Sequence, residues 1–276
     1  MHSFDRDLMN TSLNILISGE EQNYAKSAAF DCFADVEALE QILSLYRFGS
    51  DVSCINASEV GTITPLTTAG TECIHLAFSA SAMSKGAIDI CMGEHFLKAK
   101  NDTTYHIPET PRKGKFEFDP EHFLIKKLEE GKIDLGSIGK GYAVDCVVKK
   151  LKEMWEIENA FISFGGSSIY AFGKNDENKS WQINLSDKVQ IDVNDFAVGA
   201  SGTSVLGNHI IDARTGKVPE TQPFRTWCFC GNASIADAMA TAFMLLSKDE
   251  IQEVCRSENL NGAIQETPDS EIIFFE

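Results

Sequence analysis

Basic residues are scarce in this chain: 24 Lys and Arg stand against 41 Asp and Glu, a formal net charge of −17 over 276 residues. A nucleic-acid-binding surface needs concentrated Lys and Arg to neutralise phosphates, so this balance argues against that class. It does not exclude a phosphate-bearing small ligand, because one pocket can be locally cationic or bridged by a metal. No apolar run approaches the roughly 20 residues that a membrane helix needs. The opening MHSFDRDLMN has neither the apolar centre nor the small-residue cleavage site of a secretory leader. There is no CxxC and no histidine pair at zinc-helix spacing, and no G-x-S-x-G elbow to support a serine hydrolase. The eight cysteines, at 32, 54, 73, 91, 146, 228, 230 and 255, are spread through apolar segments and read as buried thiols of a reducing compartment. Cys228 and Cys230 fall on one face of a strand. The expected location is cytoplasmic, with an exported mature fragment that has lost its leader as the alternative.

What is present describes a folded chain, 43% hydrophobic and 24% charged, able to bury one large core or two intimately packed lobes. Periodicity predicts a strand over 11–18, helices over 24–46 and 68–84, a loop with one short strand over 47–66, and an exposed loop over 98–115. A short helix is expected from Pro120, with Phe123, Leu124 and Leu128 facing inward. Strands follow at 160–164, 168–172, 181–185, 189–193, 196–200 and 225–230, then helices at 234–247 and 249–257 and two terminal strands. Short strands clustered without regular helices between them favour an α+β fold of mixed or antiparallel sheets with packed helices. We expect residues 1–276 to form a single domain.

Residues 133–155, IDLGSIGKGYAVDCVVKKLKEMW, read as a short strand, a glycine-rich turn and a long helix. Unpaired N–H groups at such a helix start attract phosphate, and Lys140 adds a charge; packing alone also explains such a turn. The spacing matches neither a P-loop nor a dinucleotide fingerprint. Asp237 and Thr241, four residues apart, share one side of a helix. Their oxygens suit a hard cation, while Ser234 and Asp237 equally suit a capping-box variant. His209 could activate a hydroxyl or serve as an ordinary hydrogen-bonding residue, and Asp212 is either a turn former or a ligand contact.

The ordered set IDLGSIGKGYAVD (133–145), ISFGGSS (162–168), GASG (199–202), HIIDARTG (209–216) and ADAMATA (236–242) resembles the ApbE-like family of FAD:protein FMN transferases. Met9-Asn10-Thr11, Ser44-Leu45-Tyr46-Arg47 and Gly86-Ala87-Ile88-Asp89 extend the likeness over roughly residues 9–246. The resemblance implies FAD as donor, Mg2+ as cofactor, and an acceptor flavoprotein modified on Thr or Ser. By motif position it implies metal ligation by the Gly139 carbonyl, Asp237 and Thr241, with His209 as base and Asp237 also catalytic. Met9, Tyr46, Asp89, Lys140, Gly165, Gly166, Asp212 and Thr215 fall at flavin- or nucleotide-contacting positions. Asn10, Lys85 and Ala213 depart from the family's usual Gly, Gly and Pro, and the last departure is expected to loosen the turn after Asp212. A non-catalytic FAD carrier and an FAD pyrophosphatase are the competing functions.

Overall fold

The computed structural model describes residues 1–101, 108, 111–203 and 210–276. In chain order the elements are β1 His2–Leu8, β2 Thr11–Ile17, α1 Gln22–Leu43, α2 Asp51–Ala57, β3 Ile63–Pro65, α3 Thr68–Met83, a 3-10 turn Ile90–Met92, α4 Gly93–Asn101, β4 Lys115–Asp119 and β5 Leu124–Glu129. The second half adds α5 Gly139–Glu153, β6 Ala160–Phe164, β7 Ser168–Phe172, β8 Trp181–Asn184, β9 Gln190–Val193, β10 Phe196–Gly202, β11 Arg225–Cys230, α6 Ala233–Phe243, α7 Lys248–Glu258, β12 Asn261–Gln265 and β13 Ile272–Phe275.

Eight strands form one sheet in the order β1-β2-β6-β7-β10-β11-β12-β13, every neighbour antiparallel. Directly opposed residues share a face. One such row runs Leu13, Phe164, Ser168, Gly199, Cys228, Gly262, Phe275. It is bulky at its ends and small in the middle, and α6 lies in the depression. A Cβ on Gly199 would stand 2.0 Å from the Ala236 carbonyl oxygen, and one on Gly262 would stand 3.0 Å from the Phe243 ring. The buried Thr226 hydroxyl, two residues before Cys228, donates to the Ala240 carbonyl at 2.6 Å. The opposite face packs Ile169, Val198, Trp227 and Phe229 against Trp181 and Val193 of the β8-β9 hairpin. All eight cysteines are free thiols.

The α+β expectation holds, and four local readings change. The helix expected from Pro120 is the β4-β5 turn and β5, whose inward residues are Ile125 and Lys127. Lys127 misleads the pattern because it is a buried lysine: its ammonium donates to the Ser58 carbonyl at 2.9 Å, completing the C-terminal end of α2. Ile133–Leu135 is buried but joins no sheet. The Asn56 side chain instead pairs with both the N–H and the carbonyl of Ile133, at 2.8 and 2.9 Å, as a neighbouring strand would. The segment read as a loop over 47–66 contains α2, capped by Ser50, as well as β3. Residues 98–115 include the end of α4 and the first residue of β4.

The departures at Asn10, Lys85 and Ala213 have backbone explanations. Asn10 and Lys85 adopt φ values of +63° and +55°, where glycine is the easy residue and asparagine the next best. Ala213 donates its N–H to the Ala87 carbonyl at 2.9 Å, a bond that proline could not make. The turn after Asp212 is thus fastened by alanine rather than loosened, which corrects the expectation.

Because Gly199 meets helix backbone and not a flexible side chain, Gly199→Ala should destabilise the fold by about 3 kcal/mol, the upper end of ordinary overpacking. Urea denaturation followed by circular dichroism measures this; a change below about 1 kcal/mol would mean that α6 is not seated on the strand.

Candidate functional site

The N-terminal ends of α5 and α6 meet, and each helix supplies what the other lacks. No side chain of the Ile138 cap satisfies the start of α5. Its Gly141 N–H donates instead to Asp237 Oδ2 of α6, at 3.1 Å. In return, Asp145 of α5 accepts the Ala233 and Ser234 N–H groups of α6 at 2.7 and 2.8 Å, and the Ser234 hydroxyl as well. Asn232 caps Ile235 at 2.9 Å. Burial pushes the Asp145 carboxyl up, opposed by the Ser234 hydroxyl and the two amides. The approach requires glycine at 141, since a Cβ there would fall 2.3 Å from the Ala233 carbonyl oxygen.

This geometry removes the capping-box reading of Asp237. Its carboxylate does not reach back to the start of its own helix; it projects to the turn at 139–141. Lys140 Nζ lies 3.4 and 3.2 Å from its two oxygens. Thr241, one turn on, donates its hydroxyl to the Asp237 carbonyl at 3.3 Å. Gly139 begins α5, with open space where a side chain would stand.

A carboxylate, a hydroxyl and a backbone carbonyl are oxygen donors of the kind a hard cation takes. Asp237 already holds a positive group, so the donor chemistry fits a cation there. Among the described residues no three His, Cys, Asp or Glu side chains gather into a cluster. The donor set at Asp237 is of a different composition.

The remaining candidates make contacts of their own. Asp89 accepts the Cys91 N–H at 2.9 Å and pairs with Lys113 at 3.0 Å. It lines one narrow crevice with Ser137, Ile138 and Ala238, placing it beside the α5 turn and α6. Met9 has φ +47° and donates its N–H to Glu40, which also binds Arg47 at 2.7 Å. Burial alone would raise the Glu40 carboxyl, but Arg47 and the Met9 amide hold it below the usual range. Tyr46, next to Arg47, is exposed. Gly165 and Gly166 turn β6 into β7 with φ near +62° and +67°, and Gly165 sits against Thr11. Among the described residues, the buried Ser168 hydroxyl has no hydrogen-bond partner.

Asp212 is engaged locally. Both its oxygens face the Arg214 guanidinium, with Nη2 at 2.7 Å from Oδ2, and Oδ1 accepts the Arg214 N–H in an Asx-type turn. Arg214 continues to Glu250 at 2.8 Å. Thr215 is exposed and accepts the Lys217 N–H at 3.3 Å. His209 lies outside the described residues. The Ala213–Ala87 hydrogen bond ties the turn after Asp212 to the segment carrying Asp89.

Sequence reasoning missed Asp145, Lys113, Arg214 and Glu40. Asp145 alone left a usable signal: it shares a helix face with Gly141 and Val148, and a carboxylate on a buried face requires a partner. Lys113 and Arg214 sit in segments whose course is fixed only by the fold.

No helix among the described residues is long and apolar enough to cross a membrane. The chain is similar to the FAD:protein FMN transferase of Klebsiella pneumoniae, at 24% identity over 93% of this chain and 81% of that protein. It is also similar to that of Escherichia coli K12, at 26% identity over 82% and 72%. Among solved structures, the ApbE protein of Thermotoga maritima superposes with a TM-score of 0.84 at 22% identity, covering 100% of this chain and 97% of that one. The flavin transferase ApbE of Vibrio cholerae gives 0.82 at 20% identity, covering 99% and 96%. The model of the ApbE family matches residues 9–264, nearly the whole length, and the chain belongs to that family.

Proposed function

We propose that the chain transfers FMN from FAD to a Thr or Ser hydroxyl of an acceptor flavoprotein, releasing AMP. Family membership supports flavin transfer from FAD to protein as the reaction class. The observation that carries the finer reading is the meeting of the 139–141 turn with the Asp237 carboxylate. It sets a charged, oxygen-rich corner at a helix N-terminus, where a pyrophosphate gains hydrogen bonds and a favourable dipole.

Asp237, Thr241 and the Gly139 carbonyl would hold Mg2+, which when bound neutralises pyrophosphate charge and stabilises the departing AMP. The acceptor oxygen attacks the FMN-side phosphorus, and the bond from that phosphorus to the AMP oxygen breaks. His209 takes the hydroxyl proton. The Gly165-Gly166 turn and the Met9 hairpin, which touch through Thr11, line the flavin and adenine sides together with Tyr46 and Asp89. Asp212 and Thr215 shape the turn following His209, with Arg214 fixing the Asp212 carboxylate. The isoalloxazine passes through unchanged, so catalysis is a matter of positioning and electrostatics.

Incubation with FAD, Mg2+ and a Thr- or Ser-bearing acceptor should add the mass of FMN to the acceptor and release an equal amount of AMP, read by intact-protein mass spectrometry and chromatography. Free FMN with AMP would establish hydrolysis instead, and FAD recovered intact would leave a binding protein.

Asp237→Asn retains an oxygen that accepts the Gly141 N–H and removes the charge. It should therefore fold, yet lose metal-dependent turnover by about a hundredfold or more, the scale of one lost electrostatic contact to a reacting centre. Turnover within threefold of wild type would remove Asp237 from the reaction.

A further inference from the structure

The Asp237 carboxylate is covered by the protein's own cation. Its side chain is 4% exposed. One oxygen takes the Gly141 N–H, and the Lys140 ammonium spans both oxygens at 3.4 and 3.2 Å. A divalent ion seated on this carboxylate and the neighbouring Thr241 hydroxyl would share its position with a like charge. Gly141 N–H cannot leave, because it belongs to the backbone of α5 wedged against Ala233. Lys140 can: its side chain is 25% exposed and ends a flexible four-carbon stem.

We propose that Lys140 is a resident counter-ion that neutralises Asp237 while no metal is bound, and that an incoming divalent cation displaces it toward an anionic phosphate on the ligand. This rests on the metal role of Asp237 proposed above. It adds a coupling. Metal binding alone must break the Lys140–Asp237 pair, leaving an ammonium without a partner. With a pyrophosphate present, the same displacement gives Lys140 a new anion. Each ligand therefore tightens the other, by the reciprocity of linked equilibria. The charge at the helix start also stays nearly balanced in both states, so Asp237 is never left buried, charged and unpaired.

The coupling is tested by measuring Mn2+ binding to the full chain by electron paramagnetic resonance, without nucleotide and then with FAD, corrected for Mn2+ held by FAD alone. Lys140→Gln keeps a neutral hydrogen-bond donor of similar length, and Lys140→Arg keeps the charge. In the absence of FAD, Lys140→Gln should bind Mn2+ about tenfold more tightly than wild type, within the usual 5–150-fold range of coupling between sites. FAD should tighten Mn2+ binding to wild type and leave that of Lys140→Gln nearly unchanged, while Lys140→Arg stays as weak as wild type without nucleotide. If Lys140→Gln binds Mn2+ no more tightly than wild type, while Asp237→Asn abolishes binding, the displacement is wrong and the metal role survives. If wild type and both lysine variants keep native circular dichroism and none binds Mn2+ saturably, the metal role fails and the displacement with it.

Discussion

Two helix starts that cap one another hold the centre of this protein. An α-helix leaves its first N–H groups without acceptors, and burying them unpaired costs about 1–3 kcal/mol each. Here the deficit of α5 is met by Asp237 from α6, and that of α6 by Asp145 from α5. Neither start is complete without the other. The glycine at 141 exists to let the two backbones come this close, and the small row Ser168, Gly199, Cys228, Gly262 exists to seat α6 at that height above the sheet.

The same contacts serve the fold and the proposed chemistry together. Asp237 is a cap for α5 and the carboxylate on which the proposed cation would rest. Asp145 fixes the end of the helix that carries Asp237 and Thr241. The proposed cation-binding side chains of α6 are located by hydrogen bonds whose loss would also unfasten the core. The other candidates differ. Met9, Asp89 and Asp212 are held by contacts with Glu40, Lys113 and Arg214 rather than by the α5–α6 junction.

Much of this was legible in the sequence. The periodicities of α1, α3 and α5 are strong because each buries one face, and the central strands of the main sheet, buried on both faces, show as short apolar runs. The order of glycine-rich and acidic motifs carried the family. What failed did so where a polar side chain does the work of another element. Lys127 occupies a core position and disguises β5 as helix; Asn56 stands in for a strand beside Ile133. The first strand, β1, was missed because it is an edge strand with alternate residues exposed, carrying Asp5, Arg6 and Asp7. The partner of Asp237 was ambiguous for a simpler reason. Spacing along one helix says which side chains share a face, whereas the acceptor and donor that met here lie 96 residues apart.

The seating of α6 on the sheet has a bearing on how such chains diverge. Where a helix rests on a strand through side chains, a larger residue on one partner can be offset by a smaller one on the other. At Gly199 the helix rests main chain on main chain, so no second-site change of side chain can compensate for bulk gained there. Drift is free to redress the outer surface, but this floor behaves as a fixed datum from which the height of α6 above the sheet is set.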